Sequence, residues 1–140
     1  MIVLDTNVLS ELMRPAPSEA VVNWVSAQPV TRLFTTSITQ AEILHGIMLL
    51  PAGRRRDTLA AMATAMFDED FTERVMPFGS DAARAYAQVA SARQRIGRPI
   101  SQFDAQIAAI ARSIGAAVAT RNAADFRECG IDVMNPWERG

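Results

Sequence analysis

The sequence predicts an α/β fold of three layers, in which a mostly parallel central sheet of four to five strands is covered by helices on both sides. Short apolar segments alternate along the chain with longer segments that carry helix signals, as in βαβ units. The first apolar segment, residues 2–4, has no polar position, which is typical of a strand buried on both faces. The chain has 140 residues, of which 49% are hydrophobic and 21% charged, so we expect one globular domain over residues 1–140.

Five segments have the composition of strands. Residues 2–4 (IVL) open the chain, and residues 32–36 (RLFTT) are rich in β-branched and apolar side chains. Residues 74–78 (RVMPF) contain Pro77, which predicts an edge strand because proline cannot donate to a hydrogen-bond ladder. Residues 116–120 are the fourth predicted strand and residues 131–134 a candidate fifth.

The segments between these strands begin with helix caps. Ser18, Ser80 and Ser101 are N-cap candidates, and Ser37 with Gln40 has the pattern of a capping box. Proline and glycine end most of the segments, because proline interrupts a helix and glycine favours its C-terminal cap. The predicted helices cover residues 8–13, 19–27, 37–50, 54–70, 80–96 and 101–114.

Four acidic residues lie at one end of this predicted sheet. Asp5 follows the first strand, Glu42 lies in the helix after the second, Asp104 in the first turn of the helix before the fourth, and Asp125 after the fourth. Ligands of such sheets bind beyond the carboxyl ends of the strands. Taken singly, Asp5, Asp104 and Asp125 also fit ordinary cap or turn positions.

Glu42 is less easily explained as a surface residue. Its helix is apolar nearly all round and is therefore predicted to be mostly buried, where glutamate is rare unless it is paired or bound to a metal. The alternative is that Glu42 reaches solvent or an arginine through a gap in the packing.

Clustered carboxylates repel one another unless a cation lies among them. Mg²⁺ or Mn²⁺ fits this set because both prefer oxygen ligands, whereas the chain has one His and one Cys for a metal such as Zn²⁺. Activation of water for attack on a phosphodiester is the chemistry that such a cation supplies.

Charge and composition say less about the function than the four acidic residues do. The net charge is −1, and all 14 basic residues are arginines, which gives no overall attraction to nucleic acid. The clusters at residues 54–56 and at Arg93, Arg95 and Arg98 fit solvated helix faces and an RNA-binding surface alike. Because no segment resembles a signal peptide or a membrane span, we expect a cytoplasmic protein that does not contact membranes.

Four segments, in order, resemble the motifs of PIN-domain proteins. Residues 2–9 (IVLDTNVL) are similar to their opening motif, in which an apolar strand runs into an aspartate. Residues 37–43 (SITQAEI), 103–109 (FDAQIAA) and 119–126 (ATRNAADF) resemble the second, third and fourth motifs. With residues 135–137 (NPW), the chain most resembles the VapC and FitB toxins of bacterial toxin–antitoxin pairs.

The resemblance implies a Mg²⁺-dependent endoribonuclease, with Mn²⁺ as a substitute, that forms a homodimer and is inhibited by a cognate antitoxin protein. It also implies a higher toxin–antitoxin assembly on operator DNA. Asp5 and Asp104 are implied as direct metal ligands, and Glu42 and Asp125 as ligands that act directly or through water.

Five further residues are assigned through the same motifs. Thr6, Asn7, Thr120 and Asn122 would hold the carboxylates, as metal sites generally require, and Arg121 would contact a substrate phosphate. FitB-like relatives have an acid where this chain has Asn122, which makes a second metal ion less expected than the first.

Two other interpretations remain open at this level. One is a catalytically weak PIN-like module that acts mainly by forming complexes with an antitoxin and operator DNA, and Asn122 is the feature that favours it. The other is a flavodoxin-like phosphoacceptor domain with Asp5 or Asp104 as the acceptor, which the absence of any lysine in the chain disfavours.

Overall fold

A computed structural model describes residues 1–138 and confirms the predicted fold class. The predicted domain extends to residue 140, and its last two positions lie outside the described residues. Five parallel strands form one sheet in the order β3-β2-β1-β4-β5. The strands are β1 Ile2–Leu4, β2 Leu33–Thr36, β3 Val75–Met76, β4 Ala117–Ala119 and β5 Val133–Met134.

Six α-helices surround the sheet: α1 Thr6–Leu12, α2 Glu19–Ser26, α3 Ser37–Met48, α4 Arg54–Ala65, α5 Ser80–Arg95 and α6 Gln102–Ser113. A π-helical turn over Met66–Asp70 extends α4, and short 3₁₀ turns cover Val30–Arg32 and Ala123–Phe126. No helix of residues 1–138 is long and apolar enough to cross a membrane.

The alternation of side chains along β1 explains the three layers. Ile2 and Leu4 point into a core built with residues of α1 to α4, whereas Val3 points into a second core built with residues of α5 and α6. All three side chains are at most 1% exposed. The central strand is therefore apolar throughout because both of its faces are covered, as predicted.

The helix starts differ in part from the prediction. The capping box at Ser37 and Gln40 is wrong: the cap of α3 is Thr36, whose hydroxyl accepts from the N–H of Thr39 at 3.0 Å. Ser80 is the first residue of α5 and makes no capping hydrogen bond. Ser101 caps α6 as predicted and accepts from the N–H of Asp104 at 3.2 Å.

Helix α3 is less buried than its composition predicts. One stripe, which includes Ile43 and Ile47, packs into the first core, and Ile38 in the first turn packs against the second. On the opposite side Leu44, Met48 and Leu49 are 40%, 63% and 72% exposed. The prediction of a mostly buried helix is wrong because the rest of residues 1–138 covers one side of α3 and leaves these side chains largely exposed on the other.

Candidate active site

Asp5 lies at the carboxyl end of β1 and is 4% exposed. Its Oδ1 accepts the backbone N–H of Thr6 at 2.8 Å, which makes Asp5 the N-cap of α1. Its Oδ2 accepts the hydroxyl of Thr120 at 2.8 Å and the amide of Asn7 at 3.3 Å. The cap prediction for Asp5 is therefore confirmed, and its predicted role as a metal ligand stays a prediction.

Glu42 approaches Asp5 from α3. The hydroxyl of Thr6 donates to Oε1 of Glu42 at 2.9 Å, and the hydroxyl of Thr39 lies 3.1 Å from the same threonine oxygen. Glu42 is half-buried. The ion pairs among residues 1–138 do not include it, so the expected alternative of an arginine partner is not observed there.

Asp104 and Asp125 complete the group from the other side of β1. Asp104 lies in the first turn of α6 and is half-buried. Asp125 lies in the 3₁₀ turn after β4 and is exposed. The carboxyl ends of β1, β2 and β4 thus lead into the segments that carry Asp5, Glu42 and Asp125. Asp104, from the start of α6, is near enough for its charge to act on Asp5 and Glu42, and the charge of Asp125 acts on Asp104.

The pKa values of Asp5, Glu42 and Asp104 are raised in part by the charges of neighbouring acids. Burial, with the charges of Asp104 and Glu42 acting in the same direction, raises the pKa of Asp5 to about 6, although hydrogen bonds from Thr120 and Thr6 oppose the shift. Burial raises the pKa of Glu42, with the charge of Asp104 acting in the same direction. Burial also raises the pKa of Asp104, and the charge of Asp125 shifts it in the same direction.

The donor set fits a divalent cation that keeps much of its water. Every acid of the group offers carboxylate oxygen, the ligand that Mg²⁺ and Mn²⁺ prefer. Within residues 1–138, no three His, Cys, Asp or Glu side chains lie close enough to enclose a metal ion by themselves. Mg²⁺ typically takes one or two carboxylates and completes its coordination with water and substrate oxygens, and a positive charge here would relieve the raised pKa values.

The four residues expected to hold the carboxylates form one network with Asp5. Besides its bond to Asp5, the amide of Asn7 donates to Oγ1 of Thr120 at 3.3 Å. Asn122 joins through its backbone, whose N–H donates to Oγ1 of Thr120 at 3.1 Å, while its side chain is exposed. The backbone N–H of Arg121 donates to Oδ1 of Asn7 at 3.2 Å, which ties the fourth motif to α1.

Arg93 supports the site, and the sequence interpretation did not identify it. It is 6% exposed, and its guanidinium donates to the carbonyl oxygens of Asp125 at 2.7 Å, Arg127 at 3.0 Å and Arg98 at 2.7 Å. It therefore fixes the turn that carries Asp125. For Arg93, both predicted interpretations, a solvated helix face and an RNA-binding surface, are wrong because the side chain is buried.

Helical spacing was the available signal for Arg93. The buried face of α5 consists of residues three or four positions apart: Ala82, Ala85, Val89 and Arg93. An arginine in register with a buried small-residue face must satisfy its donors inside the protein.

Comparisons with known proteins agree with this geometry. The PIN domain model matches residues 2–131. The chain is 41% identical over 138 residues to the VapC ribonuclease Y4jK of Sinorhizobium fredii, covering 99% of each chain. It is 36% identical over 137 residues to toxin FitB of Neisseria gonorrhoeae, covering 98% of this chain and 99% of FitB. It also superimposes on a chain of the structure of FitAB bound to an IR36 DNA fragment with a TM-score of 0.94, at 36% identity, covering 100% of this chain and 98% of that one.

Proposed function

Because the chain belongs to the PIN-domain family, we propose that it is the toxin of a toxin–antitoxin pair and that it hydrolyses RNA with the help of a bound divalent cation. The observation that carries the proposal is the group of mutually repelling acids, Asp5, Glu42 and Asp104, at the carboxyl end of the sheet. The names of the full-length relatives, a ribonuclease and a toxin, support it.

Mg²⁺ is the proposed cofactor, and Mn²⁺ the expected substitute. Asp5 and Asp104 would hold the cation directly, and Glu42 and Asp125 directly or through water. When bound, the cation would activate a water molecule and neutralise charge on the scissile phosphate.

The residues of the chain prepare this chemistry by fixing the acids. Both oxygens of Asp5 are held in one orientation by Thr6, Thr120 and Asn7. Asp5 therefore loses no rotamer freedom when a ligand binds. The hydroxyl of Thr6 binds Oε1 of Glu42 and leaves Oε2 for a water molecule, which suits Glu42 to orient the attacking water.

The proposed partners are a cognate antitoxin protein and a second copy of the chain, with a larger assembly on operator DNA. The structural relative solved as FitAB on DNA supports an antitoxin and DNA. The exposed apolar side chains of α3 are the kind of surface that a protein partner covers. We expect the toxin to act in the cytoplasm, where RNA and operator DNA are found.

Expression in cells tests the proposal. The chain expressed without an antitoxin should arrest growth, and Asp104→Asn should abolish the arrest at equal protein level. Asp81→Asn is the matched control, because Asp81 is an exposed acid on α5 whose ion-pair partner within residues 1–138 is Arg84. Arrest by both variants alike would contradict the role of the acid group.

A further inference from the structure

The guanidinium of Arg121 lies over an aromatic ring beside the acid group. Its guanidinium carbon is 5.2 Å from the centre of the Trp137 ring, Trp137 is half-buried and Arg121 is exposed. In such a stack the aromatic ring occupies one face of the guanidinium and leaves the N–H groups at its edge free to bind an anion.

The segment that carries Trp137 is fastened to the backbone of Arg121. The side-chain amide of Asn135 donates to the carbonyl oxygen of Arg121 at 3.3 Å, and Oδ1 of Asn135 accepts the N–H of Trp137 at 2.9 Å. Asn135 therefore fixes both the turn that places the Trp137 ring and the backbone of Arg121. Pro136, between them, is buried.

On its other side Arg121 is linked to the acid group. Its backbone N–H donates to Asn7, and Asn7 donates to Oδ2 of Asp5 at 3.3 Å. The backbone of Arg121 is thus separated from Asp5 by one side chain. A phosphate bound by Arg121 would therefore lie within the length of one arginine side chain from this link to Asp5.

The charge of Arg121 is available for a ligand. The ion pairs among residues 1–138 are Arg14 with Glu11 and Arg84 with Asp81, and neither involves Arg121. Arg121 contributes to a lowered pKa of Glu11, but the N–H of Ser18 and the side chain of Arg14 are the direct partners of that carboxylate.

From these contacts we propose that Arg121, held on Trp137 by the turn at Asn135, binds a backbone phosphate of single-stranded RNA next to the phosphate that is cleaved. This inference rests on the proposed function and adds a second contact with the substrate. Arg121 is the binding residue, and Trp137 and Asn135 are positioning residues.

The test measures RNA affinity instead of cleavage. A short, labelled, mixed-sequence single-stranded RNA is titrated with the full-length chain in EDTA at several salt concentrations. Arg121→Ala should weaken binding about tenfold and reduce the slope of log affinity against log salt by about 0.7, the value for one lost phosphate contact on a single strand. Arg127→Ala, which removes an exposed arginine of the same segment, should weaken binding less and is the matched control.

Trp137 is tested in the same assay. Trp137→Ala should weaken binding about threefold, Trp137→Phe should restore most of the loss, and Trp137→Ala should have no further effect in the Arg121→Ala background. If Trp137→Ala does not fold, the comparison of Trp137→Phe with Arg121→Ala keeps the test valid.

Equal effects of Arg121→Ala and Arg127→Ala on RNA affinity would overturn the inference, because they would indicate general electrostatic attraction and not a specific phosphate site. Unchanged RNA affinity of Arg121→Ala, with weakened binding of an antitoxin, would also overturn it. If the chain binds RNA through Arg121 but does not cleave it with Mg²⁺, the proposed function fails, and only the phosphate-binding role of Arg121 stands.

Discussion

The hydroxyl of Thr120 donates to Oδ2 of Asp5 at 2.8 Å, and both side chains are buried at the carboxyl ends of adjacent strands. This bond opposes the burial that raises the pKa of Asp5, because it favours the ionised carboxylate. The strand pairing of β1 with β4 thus keeps the pKa of the central acid below the value that its burial would otherwise produce. Its consequences can be measured separately for activity, stability and metal binding.

Thr120→Val removes this hydrogen bond at nearly constant volume. The pKa of Asp5 should rise above about 6, so the acidic limb of the pH–rate profile should move to higher pH, because the proposed reaction needs ionised Asp5. The free energy of unfolding should fall by about 1 to 3 kcal/mol. Thr64→Val, at an exposed position, is the control, and an unmoved acidic limb would contradict the assignment.

The raised pKa of Asp5 also predicts a pH dependence of stability. Between pH 3.8 and about 6 the folded chain binds a proton at Asp5 that the unfolded chain has released, so this proton stabilises the fold. Above about pH 6 the charged Asp5 disfavours folding by roughly 3 kcal/mol in the metal-free chain, from a pKa difference of about two units.

Asp5→Asn isolates this effect because it keeps the shape and removes the charge. In EDTA, its stability relative to the natural chain should increase as the pH rises from 4 to 7, and should level off above that range. Urea unfolding at several pH values measures it. A stability difference independent of pH would show that Asp5 titrates normally.

Asp5→Ala is a poor substitute in such experiments. It also removes the N-cap of α1, which costs about 1 kcal/mol, and leaves the hydroxyl of Thr120 without its acceptor. Loss of activity in that variant would mix a folding defect with a chemical one.

Addition of Mg²⁺ or Mn²⁺ should stabilise the chain at neutral pH. Binding to the folded state alone contributes about 2 to 3 kcal/mol at a concentration of roughly 100 times Kd. The melting temperature should rise with the metal concentration, and Asp104→Asn should reduce the rise while Asp81→Asn leaves it intact. A rise of equal size in Asp104→Asn would place the cation elsewhere.

Arg93→Met should lower the free energy of unfolding by about 2 to 4 kcal/mol, because three carbonyl oxygens lose the buried guanidinium as their donor. Arg93→Lys should rescue only part of the loss, since one ammonium cannot reproduce the fork of the guanidinium. Arg95→Met, at an exposed position two residues along, is the control. Chemical denaturation measures all three, and equal stabilities would contradict a supporting role for Arg93.

Features set by local sequence could be predicted well. The apolar run of β1 and the proline beside β3 led to a central and an edge strand, and the structure has both. The four acids could be assigned to one edge because parallel strands end together. The cap of α3 was misplaced by one residue because Thr36 and Ser37 can both cap a helix, and the end of β2 decides between them.

Features that depend on long-range contacts could not be predicted in the same way. Helix α3 is apolar on two sides, and a single sequence does not tell burial within the chain from a surface left for a partner. Arg93 was grouped with exposed arginines because arginine is rarely buried. Only the approach of the turn at Asp125 supplies the carbonyl oxygens that make its burial favourable.

Cleavage of total cellular RNA by the purified chain, free of antitoxin, tests the central claim most directly. The reaction is run with Mg²⁺, with Mn²⁺ and with EDTA, beside Asp104→Asn and Asp81→Asn. We predict discrete RNA fragments that form only with the metal, disappear with Asp104→Asn and persist with Asp81→Asn. Equal cleavage by Asp104→Asn would contradict this claim. The absence of cleavage by a folded, antitoxin-free chain would also contradict it, and would favour a module that acts through antitoxin and operator DNA.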